Sequence, residues 1–182
     1  MKVLAISGSL RDGSSNTTLL RAAARLAPGG VTVELYTGLG ELPHFNPDLD
    51  REGAASPAGV VSFRDRVGSA DALLICSPEY AHGVPGTLKN ALDWLVSSPA
   101  IIDKPIALLN ASFRATYAYA SLLETLTVMS ARVVRAASIT IPLDGRKGLD
   151  VAGILADPEL TSLLRTAIGE LVASVSAAQT PS

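Results

Sequence analysis

The segment "KVLAISGSLRDGSSNTTLL", residues 2–20, decides the fold. It starts with a short, unbroken apolar run at residues 2–7, the pattern of a β-strand that is buried on both faces. A loop rich in glycine and serine follows, and residues 16–27 then show helical spacing of apolar side chains until "PGG" ends the pattern. A buried strand that leads through a loop into a helix is the first unit of an α/β fold.

The same alternation of apolar runs and helical patterns continues along the chain. Residues 37–57 interrupt it with a long polar connection that is rich in glycine and proline. Five strands joined by helices predict a parallel sheet covered on both faces, within a single domain that spans residues 1–182. The further strands are predicted at 31–36, 71–76, 105–109 and 133–141, and the further helices at 59–67, 86–96, 117–130 and 158–178, the last capped by Asp157.

Composition limits the partners and the location of the protein. The net charge is -2, so the chain offers no basic surface for nucleic acid. No apolar run approaches the roughly 20 residues of a membrane span, and the first run leads into a loop instead of a signal-peptide cleavage site. Cys76 is the only cysteine, which excludes an internal disulfide. We therefore expect a cytoplasmic protein with no nucleic-acid partner and no membrane contact.

The loop between the first strand and the first helix offers the groups that bind a phosphate monoester. It matches neither the G-x-G-x-x-G loop nor the glycine-lysine-serine loop. A helix that begins near Ser15 presents unpaired N–H groups and the positive end of its dipole, and Arg11 adds a planar cation. The alternative is an ordinary serine-rich helix cap followed by an exposed arginine. The neutral donors of the loop are Ser9, Ser14, Ser15, Asn16 and Thr17.

A second loop of unusual composition lies in "CSPEYAHGVPGTLKNALDWL", residues 76–95. Its prolines stiffen the chain, and its glycines leave room for a planar ligand whose edge the backbone can hydrogen-bond. Tyr80 can flank a ring, and His82 can stack on it or donate to it. In the alternative, Tyr80 covers the core while Glu79 and His82 are ordinary solvated residues.

Both loops follow buried strands, as do residues 110–116. In a parallel sheet with the flavodoxin-like order 2-1-3-4-5, the three segments converge at the carboxyl ends of the strands, where such sheets bind ligands. If the sheet has this order, the fold is a flavodoxin-like three-layer α/β sandwich with a five-stranded parallel sheet and a ligand site at that edge.

Taken together, "GSLRDGSSN" and "PEYAHGVPGTLKNALDWL" resemble the NADPH-dependent FMN reductase family. The intervening "LPHFNPDLD" also fits that family, and the resemblance is clear over the first half of the chain. The family includes quinone, azo-dye and chromate reductases with a flavodoxin-like fold. The resemblance implies that this protein binds FMN and takes electrons from NADPH or NADH.

The resemblance also implies the cofactor-binding residues. The phosphate positions of the family are matched by Ser9, Arg11, Ser14 and Asn16. The loop against the isoalloxazine ring is matched by Pro78, Glu79, Tyr80 and Gly83. Their neighbours complete the predicted set: Ser15, Thr17, Ala81 and His82, with Ser112 from the third segment.

Two positions depart from the family's pattern. Ala81 stands where the family usually has asparagine, and residues 110–121 contain no glycine where the family's loop is glycine-rich. Ser112 is predicted to offer its hydroxyl to the flavin edge. Arg114 is either a partner for the 2′-phosphate of NADPH or an anionic substrate, or a surface residue that opens the next helix.

In such proteins the helix after the second loop often takes part in a dimer interface, and many members are dimers or tetramers of dimers. Here that helix carries Trp94 and is predicted to be only partly covered by its own sheet. A homodimer or homotetramer is therefore expected.

The predicted function is that of an NAD(P)H-dependent, FMN-containing oxidoreductase. Hydride passes in a ping-pong cycle from the reduced nicotinamide through FMN to a quinone-like, azo or other small acceptor, so no catalytic side chain is predicted. A metal site is not predicted, because His44, His82 and Cys76 make a poor ligand set. The alternatives are a flavodoxin-like electron carrier and a flavin-free relative that has lost catalysis.

Overall fold

The continuous apolar runs form the centre of a five-stranded parallel sheet in the computed structural model, which describes residues 1–51, 53, 55–143, 145–146 and 148–179. The strand order is β2-β1-β3-β4-β5, which confirms the flavodoxin-like prediction. The strands are β1 (Lys2–Ser7), β2 (Thr32–Tyr36), β3 (Ala72–Cys76), β4 (Pro105–Leu109) and β5 (Arg132–Val133). The helices are α1 (Ser15–Leu26), α2 (Ala58–Ser69), α3 (Gly86–Asp93), α4 (Thr116–Val128), α5 (Val151–Ala156) and α6 (Pro158–Gln179).

Helices cover both faces of the sheet. On β1, Val3 and Ala5 belong to the core layer that contains α1, α5 and α6, whereas Leu4 and Ile6 belong to the layer that contains α2, α3 and α4. Every residue of β3 and β4 is buried as well. Because side chains alternate between the two faces of a strand, each central strand contributes to both layers of the core. The predicted three-layer sandwich is confirmed.

The fifth strand is shorter than its apolar run predicts. Pairing with β4 covers only Arg132–Val133, after which the chain turns away and meets the sheet again at Thr140. The Ser138 hydroxyl accepts a hydrogen bond from the Leu108 amide at 3.0 Å and donates one to the Val134 carbonyl at 2.8 Å. A side chain thus replaces a backbone partner in the ladder, and the prediction of one continuous strand is wrong.

The last part of the chain contains one helix that the sequence pattern did not predict. The Asp150 carboxylate starts α5 by accepting from the Gly153 amide at 2.8 Å. Asp157 accepts from the amides of Glu159 at 3.0 Å and Leu160 at 3.1 Å, which confirms its predicted role at the start of α6. Over the described residues, no helix combines the length and the apolar character needed to cross a bilayer.

The long connection after β2 packs on α3 and covers Trp94. The Trp94 side chain is 0% exposed, its Nε1 donates to the Pro43 carbonyl at 2.8 Å, and the Phe45 ring meets it edge-on at 5.0 Å. Asn90, one turn earlier, accepts from the Phe45 amide at 2.7 Å. The helix is predicted to be only partly covered by its own sheet, and the further cover over Trp94 comes from a distant segment of the same chain, so Trp94 offers no surface to a partner chain.

Arg64 ties the same connection to the end of α3. Its guanidinium donates to the Trp94 carbonyl at 2.8 and 2.6 Å, to the Asp50 carboxylate at 2.7 Å and to the Ser97 hydroxyl at 2.9 Å. Burial raises the pKa of Asp50, but the hydrogen bonds from Ser97 and Arg64 outweigh burial and hold it below its ordinary value. The connection is thus fixed at both its middle and its end.

Candidate functional site

Three loops meet at the carboxyl ends of β1, β3 and β4: the first loop (residues 8–14), the second loop (77–85) and the third loop (110–115). The second and third loops, with the first turn of α1 that follows the first loop, border a cleft of about 360 Å³. The chain leaves β1 and β3 towards opposite faces of the sheet, because α1 and α3 belong to different core layers, and this divergence opens the cleft. Its walls are formed by Ser15, Asn16, Ser77, Pro78, Glu79, Asn110, Ala111, Ser112, Arg114, Ala115 and Leu143.

The first loop folds back on the end of β1 through hydroxyl groups. The hydroxyls of Ser7 and Thr17 are 2.8 Å apart, and the Ser7 hydroxyl also accepts from the Ser9 amide at 3.3 Å. The Ser9 hydroxyl in turn accepts from the Arg11 amide at 3.3 Å. Gly13 adopts a φ of +68°, a left-handed conformation that glycine allows without strain. The loop is therefore ordered by its own short side chains.

The start of α1 carries unused hydrogen-bonding capacity. Ser14 is the N-cap residue, yet its side chain makes no capping hydrogen bond, and no acidic residue occupies the first turn. The first N–H groups of a helix need an acceptor, and the helix dipole favours an anion at that end. Ser15 and Asn16, in this turn, line the cleft. This end of α1 therefore fits a phosphate group better than it fits an ordinary serine cap.

The predicted phosphate residues do not all border one space. Ser15 and Asn16 line the cleft, whereas Ser9, Arg11 and Thr17 line a second cavity of about 220 Å³ between the first loop and the end of β2. Ser14, directly before Ser15, is buried. Arg21, which the sequence interpretation did not select, also lines the second cavity. The predicted phosphate residues are thus divided between two spaces.

Asn16 is held in place by the cysteine at the end of β3. Its Oδ1 accepts a hydrogen bond from the Cys76 Sγ at 3.2 Å, and both residues are buried. Burial raises the pKa of the Cys76 thiol, so the thiol stays protonated and acts as the donor. Cys76 is a core residue, as predicted, and it also fixes the orientation of the Asn16 amide.

The second loop divides into a part that lines the cleft and a tight turn that does not. Pro78 and Glu79 line the cleft. The following four residues close a turn in which the Tyr80 amide donates to the Gly83 carbonyl at 3.1 Å and the Gly83 amide donates back at 2.9 Å. Of the predicted ring-binding residues, Tyr80, Ala81, His82 and Gly83 therefore lie outside the cleft walls.

Glu79 is not the solvated acid of the alternative interpretation. Its Oε2 accepts from the backbone amide of Ala118 in α4 at 2.9 Å. His82 is likewise engaged, since its ring stacks on Tyr117 with centroids 4.2 Å apart and planes 15° from parallel. Both side chains of the second loop thus contact the first turn of α4.

The third loop builds its turns from side chains instead of glycine. The Asn110 amide group accepts from the Ser112 amide at 3.1 Å and donates to the Ala115 carbonyl at 3.3 Å. The Ser112 hydroxyl accepts from the Arg114 amide at 3.1 Å. Side-chain hydrogen bonds thus stabilise the turns that glycine residues would otherwise make possible through their conformational freedom. Ser112 lines the cleft, and Asn110 and Arg114 join it there.

Asn110 and Leu143 are cleft residues that the sequence interpretation did not select. Asn110 is a polar residue directly after a buried strand, which is a usable signal for a site at the sheet edge. Leu143 carried no such signal, because it reaches the cleft only through the return of the chain past β4, where its amide donates to the Ala111 carbonyl at 2.9 Å. Across the part of the chain that the structure describes, no group of three or more acids, histidines or cysteines could hold a metal ion.

Comparison with known proteins identifies the family of this chain. The sequence profile of the NADPH-dependent FMN reductase family matches residues 1–145. An NAD(P)H-dependent FMN reductase of Pseudomonas aeruginosa is 35% identical over 170 residues, which cover 91% of this chain and 90% of that protein. A quinone reductase of Escherichia coli K12 is 36% identical over 107 residues, covering 59% of this chain and 55% of that protein.

The fold comparison agrees with the sequence comparison. FerB, a flavoenzyme NAD(P)H:(acceptor) oxidoreductase from Paracoccus denitrificans, superimposes with a TM-score of 0.74 at 26% identity, and the match covers 97% of each chain. The profile match extends over most of the chain, and the Pseudomonas relative aligns along nearly its full length. The chain therefore belongs to the NADPH-dependent FMN reductase family and is an NAD(P)H-dependent flavin oxidoreductase with FMN as its cofactor.

Proposed function

We propose that the cleft between the second loop, the third loop and the start of α1 holds FMN, with its phosphate at the start of α1. The observation that carries this proposal is the uncapped first turn of α1, which opens beside the cleft without an acidic residue of its own. The phosphate would be held by Ser9, Arg11, Ser14, Ser15, Asn16 and Thr17. Apart from Ser14, these side chains line two neighbouring spaces. A phosphate group bound at the first loop itself would be within reach of side chains from both.

The remaining walls of the cleft suit a flat ring. A volume of about 360 Å³ is within the range of small-molecule sites, roughly 300–1,000 Å³. Pro78 of the second loop and Ser112 of the third loop both line the cleft, and Ser112 carries a hydroxyl. The turn that follows Glu79 lies outside the cleft walls and consists of Tyr80, Ala81, His82 and Gly83. These residues would therefore contact only the edge of a ring bound in the cleft.

When bound, FMN supplies hydride transfer between the reduced nicotinamide and an acceptor. The residues of this chain bind the phosphate, orient the ring and leave one entrance for both partners, as an alternating ping-pong cycle requires. No side chain is needed as a general acid or base. The names of the relatives include quinone reductases, and we therefore propose small quinone-like molecules as acceptors.

The oligomeric state is proposed to be a homodimer, or a tetramer built from dimers. Because Trp94 is buried within its own chain, the supporting surface is instead the outer face of α4. Tyr117 and Val128 on that face are 58% and 76% exposed, and Glu124 is the only charged residue of the helix. Sedimentation velocity at micromolar concentration tests this proposal, with Val128→Glu expected to shift a dimer to monomer.

The function is tested by visible spectroscopy on the purified protein. FMN is added, unbound flavin is removed, and NADPH or NADH is then added under anaerobic conditions. Bleaching of the flavin bands, followed by return of colour on adding a quinone, is expected. Bound flavin that neither nucleotide bleaches would instead favour the electron carrier, and failure to retain flavin would refute the proposed site.

A further inference from the structure

The helix α4 begins without a cap of its own. Its N-cap residue is Ala115, no side chain at that position accepts a hydrogen bond, and the first turn contains no acidic residue. The first N–H groups of a helix have no partner within the helix, so they need an acceptor from elsewhere. The third loop runs directly into this turn, so whatever holds the turn also holds one wall of the cleft.

Glu79 of the second loop supplies the missing acceptor. Its Oε2 lies 2.9 Å from the amide nitrogen of Ala118, although the two residues are 39 positions apart in the chain. A carboxylate at this position also complements the positive end of the helix dipole. The interaction is therefore a charge-assisted hydrogen bond, of the kind that is shorter and stronger than a neutral one.

A second contact joins the same two segments through Tyr117, the residue before Ala118 in α4. The His82 ring stacks on the Tyr117 ring at 4.2 Å between centroids. His82 is presented by the tight turn that Tyr80 and Gly83 close, in which Ala81 and His82 have φ of 49° and 60°. We call the pair of contacts, Glu79 with Ala118 and His82 with Tyr117, the loop–helix clamp.

We infer that Glu79 is a positioning residue, which sets the width of the cleft by holding the start of α4 against the second loop. The third loop is joined directly to the clamped turn. The Asn110 side-chain amide donates to the Ala115 carbonyl at 3.3 Å, and Ala115 is the residue that leads into that turn. Moving that turn therefore moves Ser112 and Arg114, which line the cleft together with Pro78. The carboxylate of Glu79 is an acceptor in this role and transfers no proton.

The clamp itself is tested on the protein without added flavin, by the hydrogen-exchange rate of the Ala118 amide. Glu79→Ala should raise that rate roughly tenfold or more, because the amide loses a charge-assisted partner. Glu79→Gln keeps an acceptor oxygen of the same reach and should retain most of the protection. Glu170→Ala removes an exposed acid from α6, away from both the cleft and the outer face of α4, and serves as the matched control, with no change expected. Equal protection in wild type and Glu79→Ala would overturn the clamp.

The positioning role, which rests on the proposed function, is tested by binding and kinetics. Glu79→Ala should raise the KM for a quinone about fivefold or more while kcat changes less than twofold, since a displaced wall weakens binding without altering the hydride transfer. Glu79→Gln should stay within twofold of wild type in both constants. The positioning role would be refuted if Glu79→Gln were as impaired as Glu79→Ala. It would also be refuted if Glu79→Ala exchanged the Ala118 amide faster but kept the wild-type KM and FMN affinity.

His82→Ala keeps the test decisive if Glu79→Ala fails to fold. It removes the stack on Tyr117 and leaves the carboxylate in place, so it should raise the quinone KM in the same direction by a smaller factor. Unchanged KM in His82→Ala would count against the clamp. Wild-type protein that binds no FMN would refute the proposed function alone, because the exchange experiment on Ala118 needs no flavin.

Discussion

Replacing Gly8 with alanine is expected to lower the free energy of unfolding by about 1–2 kcal/mol. A Cβ at this position would lie 2.6 Å from the Ser77 Oγ, and 3.1 Å from both the Ser77 Cβ and the Leu88 Cδ2. Favourable contacts between such atoms begin near 3.5 Å, so all three are overlaps. The Ser77 hydroxyl cannot turn aside freely, because it donates to the Pro78 carbonyl at 3.0 Å.

The backbone cannot move away either. The Gly8 amide donates to the Cys76 carbonyl at 2.9 Å, which continues the pairing of β1 with β3. Overpacking of this kind typically costs about 1–3 kcal/mol. Alanine restricts the unfolded chain more than glycine does, and this effect returns roughly 0.4–1 kcal/mol. The difference gives the expected loss, which corresponds to a decrease in Tm of about 2–8 °C for a domain of this size.

The assay is urea unfolding followed by circular dichroism, with Gly169→Ala as the control. Gly169 lies exposed within α6, and a Cβ there would meet nothing within 4 Å. The same substitution should therefore stabilise the protein by roughly 0.5–1 kcal/mol at that position. Adding Ser77→Ala to Gly8→Ala should recover part of the loss. A Gly8→Ala protein as stable as wild type would show that β1 and β3 do not approach as closely as described.

Three further outcomes are expected. Arg11→Ala should weaken FMN binding by about 10- to 100-fold, the loss of one charge-assisted pair, whereas Arg25→Ala on the last turn of α1 should leave the dissociation constant unchanged in a fluorescence titration. Ala81→Asn should raise the free energy of unfolding by about 0.5–1 kcal/mol, because Ala81 has a φ of 49° and asparagine tolerates that left-handed conformation better than alanine; thermal unfolding that is unchanged or earlier would contradict this. Because the folded pKa of Asp50 lies below its ordinary value of about 3.9, its stabilising bond with Arg64 is complete above that value and is lost as the pH falls through the lower folded pKa. Asp50→Asn should accordingly unfold at a lower urea concentration than wild type at neutral pH. Below about pH 4 its stability should fall less than that of wild type, and parallel plots of stability against pH for the two proteins would exclude this role.

The sheet could be predicted from the sequence because its central strands are continuous apolar runs. Residues 3–7, 72–76 and 105–109 are buried on both faces, and a segment with that pattern has few other places in a domain. The same reasoning failed at β5. The run from residue 133 to 141 is as apolar as a strand, but the hydroxyl of Ser138 competes for backbone partners, and periodicity does not report such competition.

The site was predictable to the extent that it depends on strand ends. The positions after β1, β3 and β4 carry the cleft residues Asn16, Pro78 and Ser112, and strand order alone brings these segments together. What could not be predicted depends on packing between distant segments. The burial of Trp94 under the connection after β2 and the reach of Glu79 to Ala118 join positions that no local pattern relates.

The absence of glycine from the third loop has a consequence for the free energy of binding. A glycine-rich loop samples many conformations and loses that freedom when a ligand orders it. Here Asn110 and Ser112 hold the loop through three hydrogen bonds within the chain, at 3.1, 3.3 and 3.1 Å. Less of the interaction free energy is then consumed in ordering the protein. This wall of the cleft acts as a preformed template, which favours ligands that match its shape and gives little accommodation to those that do not.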